Sequence, residues 1–92
     1  MDNVNDLEKE SILGAEAEAA LHSPAIMRAF ADLREKYTRR WLNTPMTSQA
    51  DREAAYFSIK AIEDLEIQLI GTGNNGKVAD NKIAESKRRS TK

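Results

Sequence analysis

The chain contains no cysteine. That excludes disulfides, thiolate metal sites and a cysteine nucleophile, and it fits a reducing compartment. It contains one histidine, His22, so no second His or Cys stands at metal-ligand spacing. No run approaches the ~20 apolar residues of a membrane span. The first residues are acidic and lack the basic-then-apolar pattern of a secretory signal. Proline is scarce, with Pro24 and Pro45 the only two, so each one punctuates the chain. These absences point to a protein of the cytoplasm with no metal, cofactor or membrane partner.

Chemical signatures are equally sparse. His22 falls at a predicted helix end beside Ser23, where a histidine simply faces water. Glu63, Asp64 and Glu66 cluster, but acid–base work by paired carboxylates needs a cleft, and such a group is more often a solvated face. Gly71-Thr-Gly-Asn-Asn-Gly-Lys77 has the outline of a phosphate loop. It follows a predicted helix rather than a strand, and Val78 stands where Ser or Thr would hold the metal, so it fails as a P-loop. No enzyme is expected.

What the sequence does contain is helical periodicity. Of its 92 residues 40% are apolar and 32% charged, which suits one small soluble domain with a thin core. Ile26, Phe30, Leu33, Tyr37 and Trp41 recur at intervals of four, three, four and four, widened by Met27. Arg28, Asp32, Glu35 and Arg39 occupy the opposite side. Three of the five aromatics lie on this one stripe, so flanking segments are expected to cover it and to bury Trp41. Removing a core Trp41 side chain would cost roughly 3–5 kcal/mol.

The spacing predicts three helices. The first covers about 7–22, capped by Asn5 or Asp6, rich in Ala and Glu and small almost all round. Such a helix can approach a neighbour closely but buries little area, so it is the loosest unless a partner holds it. Ser23-Pro24 then supplies an N-cap and a proline at the first helical position for a second helix over about 24–42. Asn43-Thr-Pro45 breaks it. Ser48 and Asp51 resemble a capping box for a third helix over about 49–70, with Ala54, Ala55, Ala61, Ile62, Leu65 and Leu69 as its main apolar stripe and Phe57 at the edge. The short turn forces the second and third helices antiparallel. The fold class is therefore all-α: an antiparallel helical hairpin of two long helices plus an N-terminal helix in a domain over 1–71. Gly71 reads as a helix-ending residue and 72–76 (TGNNG) as a breaker, leaving 72–92 as a flexible basic tail.

Net charge is −1, but its sign alternates by segment. Residues 1–22 carry one lysine against six acids, 23–44 five basic against two acidic, 45–71 two against five, and 72–92 six against two. Antiparallel packing would set opposite signs side by side. Windows of this length also fluctuate by as much without any pairing.

Two surfaces are candidates for binding. Tyr56, Lys60, Glu63 and Ile67 follow a stripe opposite the expected core face, with Ile59 and Ile70 at its edge. Tyr56, Ile59, Ile67 and Ile70 would then form a protein interface, since a stripe of exposed apolar groups marks association. A weak Ala-rich core favours a homo-oligomer or a fixed partner; alternatively the N-terminal helix folds over this face. Lys87, Arg88, Arg89 and Lys92 concentrate charge in the tail and can neutralise phosphates. No aromatic interleaves with them, so base stacking is not offered there. A solubilising terminus, or docking on a neighbour's acidic segment, explains them as well.

The order of features resembles a family. An Ala-rich helix leads into Leu21-His-Ser-Pro-Ala-Ile-Met-Arg-Ala-Phe30; Trp41 precedes a Thr-Pro/Thr-Ser turn; Asp51-Arg-Glu-Ala-Ala-Tyr56 and a Leu-bearing helix follow. Over roughly residues 14–70 this is similar to the small helical-hairpin proteins encoded among the structural or packaging genes of tailed bacteriophages. The resemblance implies a non-enzymatic component of virion assembly, self-associating or bound to another phage structural protein, in the bacterial host cytoplasm or the virion. It supplies no catalytic residues. The other readings are a nucleic-acid-associated module using the tail, or a small phage inhibitor that seats a helix in a host protein's groove.

Overall fold

The computed structural model describes residues 3–90. Three α-helices and no strand occupy them: α1 Val4–Leu21, α2 Pro24–Asn43 and α3 Gln49–Ser90. The all-α class follows directly.

Local chemistry sets most of the boundaries. Asn3, not Asn5 or Asp6, caps α1: its Oδ1 accepts the Asp6 backbone N–H at 2.8 Å, and α1 starts three residues earlier than expected. Asn5 and Asp6 lie inside the first turn, where Asp6 suits the positive end of the helix. Ser23 is extended at φ −76°, ψ 120°, as a residue before proline must be, and its Oγ accepts the Ile26 N–H at 3.4 Å. At the far end of α2 the Thr44 N–H donates to the Trp41 carbonyl at 3.4 Å. The Thr44 hydroxyl donates to the Arg40 carbonyl at 2.6 Å. Pro45 then holds Thr44 out of the helical region.

The main correction concerns the C-terminal third. α3 does not end at Ile70 but runs for 42 residues to Ser90. Residues 72–90, expected as a flexible tail, are its second half, and Gly71 and the TGNNG segment lie in its middle. None of the glycines takes a positive φ, so Gly71 does not act as a left-handed cap. Each helical glycine costs about 1 kcal/mol relative to alanine. What offsets that cost lies on the neighbouring helix.

The chain divides into two compact units. The first joins α1 to the part of α3 from Gln68 onward. Its helices run in opposite directions, because the Ser11 hydroxyl meets the Asp80 carboxylate while Glu18 Oε1 meets Lys77 Nζ at 2.7 Å. At the crossing the backbones touch. A Cβ added to Gly14 would sit 2.6 Å from Gly76 Cα, and one added to Gly76 would sit 2.7 Å from Gly14 Cα. Gly14, Ala17, Gly73, Gly76 and Ala79 are all buried there with Leu7. Only glycine allows such an approach, and close approach lets whole backbones make dispersion contacts that larger side chains would prevent. The small-residue character of α1 is thus explained by what it packs on.

The second unit, His22–Ile67, comprises α2 and the first part of α3. Its buried side chains are Phe30, Ala55 and Ile62. Arg34 Nη2 reaches Glu66 Oε2 at 2.9 Å, joining the two helices across opposite charge. The aromatic stripe of α2 is not sealed, contrary to expectation. Phe30 alone is buried, Tyr37 is half-buried, and Ile26, Met27, Leu33 and Trp41 stay exposed at about two-fifths of their surface. On α3, Ala54, Ala61 and Leu65 face water, and half-buried Arg52, Ile59 and Glu66 stand beside Ala55 and Ile62 instead. Two helices give a stripe only one neighbour each, so both its edges remain open.

Candidate functional site

The second unit exposes its largest apolar groups at the end where α2 turns into α3. Trp41 is 38% exposed and divides two adjoining surface grooves. One groove is lined by Trp41, Gln49, Arg52, Glu53 and Tyr56, the other by Trp41, Leu42, Thr44, Met46 and Arg52. Phe57 adjoins them through an edge-to-face contact with Tyr56, ring centroids 5.9 Å apart. Leu42 is 69% exposed, Met46 86% and Phe57 64%. Isolated exposed apolar residues carry no meaning, but these six neighbours, Trp41, Leu42, Met46, Arg52, Tyr56 and Phe57, form one patch. Its composition is that of interface centres, which are enriched in aromatics, Met and Arg.

Arg52 is the polar anchor of this patch, and its electrostatics are unusual for the unit. Arg28 pairs with Asp32 at 3.2 Å, Arg34 with Glu66 and Arg39 with Glu35, while Arg40 lies 5.3 Å from the Tyr37 ring centroid. Arg52, half-buried between the two grooves, has no carboxylate or ring partner among the described residues.

Of the interface residues expected from sequence, Tyr56 belongs to this patch. Ile67 is exposed further along α3, and Ile59 is half-buried beside the core residues. Ile70 is exposed in the other unit. Between Tyr56 and Ile67 the stripe is occupied by a self-paired cation. Lys60 Nζ lies 5.7 Å from the Tyr56 ring centroid and 3.5 Å from Glu63 Oε2. The Glu63 carboxylate holds Lys60 above the ordinary lysine range, with Tyr56 adding to it. Sequence reasoning missed Trp41, Leu42, Met46 and Phe57 as surface groups. The signal was present in Met46 and Leu42, which flank the Thr-Pro break and have no helical stripe to bury them.

Lys87, Arg88 and Arg89 are exposed on the last turn of α3, where positive side chains suit the negative end of the helix. Lys92 lies outside the described residues. Among the described residues no three His, Asp or Glu side chains gather closely enough to hold a metal ion, and no helix is long and apolar enough to cross a membrane.

No protein-family model, curated protein or solved structure matches this chain.

Proposed function

We propose that this chain is a non-enzymatic interaction protein that self-associates as a building component of a larger assembly. The setting is the one its resemblance implies, virion assembly in a tailed bacteriophage. In this reading α2 and the first part of α3 act as an antiparallel helical hairpin whose turn end is the adhesive surface. The observation that carries the reading is the patch around Trp41. Among the described residues only Leu7, Phe30 and Ile62 are large apolar side chains that are buried, against fifteen that are exposed. A core that thin leaves a small monomer marginal, and association supplies the missing burial.

Light scattering at micromolar concentration tests it. The expected mass is a multiple of 10.3 kDa. A single species at the monomer mass across that range would overturn the proposal. A second reading has one favouring observation, the three cations exposed on the last turn of α3. Nucleic-acid binding through them would weaken steeply with salt and fall on truncation after Ser86. Equal affinity of the full and truncated chains for a short duplex would dispose of it.

A further inference from the structure

The geometry points to a two-fold contact between copies of this chain in which the first turns of α3 cross antiparallel, with the axis between Arg52 and Glu53. This inference rests on the self-association proposed above and names its surface.

Gln49, Arg52, Glu53 and Tyr56 are spaced at three, one and three along α3 and line one groove together with Trp41. Residues at these intervals share a helix face. A two-fold axis makes a surface meet itself, so residue i meets j and j meets i. Reversing this set about its midpoint exchanges Gln49 with Tyr56 and Arg52 with Glu53. The exchange therefore sets each guanidinium against the other copy's carboxylate, twice. It also sets each Tyr56 ring against the aliphatic part of a Gln49 side chain. Within one chain Arg52 finds no carboxylate among the described residues, and Glu53 Oε1 accepts only the Gln49 amide at 3.0 Å. A half-buried guanidinium between an indole and a phenol, facing a carboxylate of the opposite copy, is the arrangement in which an interface charge pair counts most.

The patch also carries apolar material around the charged centre, in Trp41, Leu42, Met46 and Phe57, all of them exposed.

Charge reversal tests the register. Arg52→Glu and Glu53→Arg each set two like-charged pairs across the axis, and each should weaken self-association at least tenfold. An equimolar mixture of the two variants, and the double variant R52E/E53R, restore opposite charges and should associate within about threefold of the parent. Circular dichroism of each variant checks that its helices are kept. Because the chain lacks cysteine, Glu53→Cys gives an independent readout: oxidation should yield a covalent dimer, while Asp64→Cys, three turns or about 17 Å further along α3 and so far from its counterpart across an antiparallel contact, should not. Association of the single variants as tight as the parent's would overturn this contact and leave self-association standing. So would weakening that neither the mixture nor the double variant repairs. A parent chain that stays monomeric would overturn both.

Discussion

The two units of this molecule reach stability by opposite means. The first is built from residues with almost no side chain. Gly14, Gly73 and Gly76 bring two helices into backbone contact, and Ala17 and Ala79 fill the remaining space. The second is built from large groups, Phe30, Ile62, Trp41 and Leu33, of which only the first two are buried. Close contact between small residues closes the crossing itself, although Ile12, Leu13, Ile70 and Val78 stay exposed elsewhere on that unit. Large residues on only two helices leave half of each stripe open. The difference teaches where to look for function: the glycine-lined crossing is complete in itself, and the aromatic end is not.

The largest expected effect falls on the one aromatic that the second unit does bury. Phe30→Ala should lower stability by about 3 kcal/mol or more, through lost transfer energy and an unfilled cavity. Denaturant melting followed by circular dichroism reads it. A loss below about 1 kcal/mol would mean that the core of this unit lies elsewhere.

Next comes the crossing of the first unit. Gly14→Ala and Gly76→Ala each gain helix propensity but drive a methyl into the opposite backbone, so each should lose roughly 1–3 kcal/mol net. Gly73→Ala has the Glu18 Cγ at 3.2 Å as its one tight contact, on a side chain that can move, and should be nearly neutral. Gly71 has nothing within 4 Å of its added methyl, so Gly71→Ala should gain about 0.5–1 kcal/mol. The sign therefore changes along six residues of one helix. Four alanine variants melted side by side would collapse the distinction between the units if all four moved the same way.

This series also shows why part of the fold was legible and part was not. Ser23-Pro24, Thr44-Pro45 and the α2 periodicity announce themselves locally, and the structure places helix ends within a residue of them. Glycine in mid-helix is a different case. Its local preference is for a break, and only a partner far earlier in the chain, Gly14 against Gly76, makes the helix worthwhile. A usable signal existed. Ala55, Ile62, Leu69, Gly76 and Ile83 recur every seventh residue straight through the supposed breaker. α1, small all round, was already a helix in search of a close neighbour. Charge alternation was informative too: Glu18 with Lys77 and Arg34 with Glu66 join segments of opposite sign. The patch at Trp41 was hidden because periodicity gives the apolar face of a helix, not how many neighbours come to cover it.

Trp41 sharpens the comparison in a second way. A covered indole would cost roughly 3–5 kcal/mol to remove, but this one keeps 38% of its surface exposed, so Trp41→Ala should cost about 1–2 kcal/mol and less than Phe30→Ala. Its larger effect should appear in self-association, weakened at least tenfold. Fluorescence supplies the check, because Trp41 is the only tryptophan. Its emission should shift to the blue as concentration rises through the association range, and an emission maximum independent of concentration would count against its place at the contact.

The smallest effect concerns Lys60, on the same helix as the patch but engaged with its own neighbours. Glu63 and Tyr56 raise its pKa in the folded chain above the ordinary ~10.4 of lysine. A raised lysine stabilises fully below the unfolded value and loses that contribution as pH climbs through the folded one. The difference between the parent and Lys60→Gln should therefore stay level from pH 6 to 9 and shrink only above the ordinary lysine range. Because Lys60 is solvent-exposed, salt should shrink it further. Urea midpoints of the two chains at pH 8 and pH 11, with and without salt, decide the matter: a gap that widens at pH 11 would reverse the sign argued here. Association should be unchanged in Lys60→Gln, which separates the self-paired stripe from the open patch one turn away.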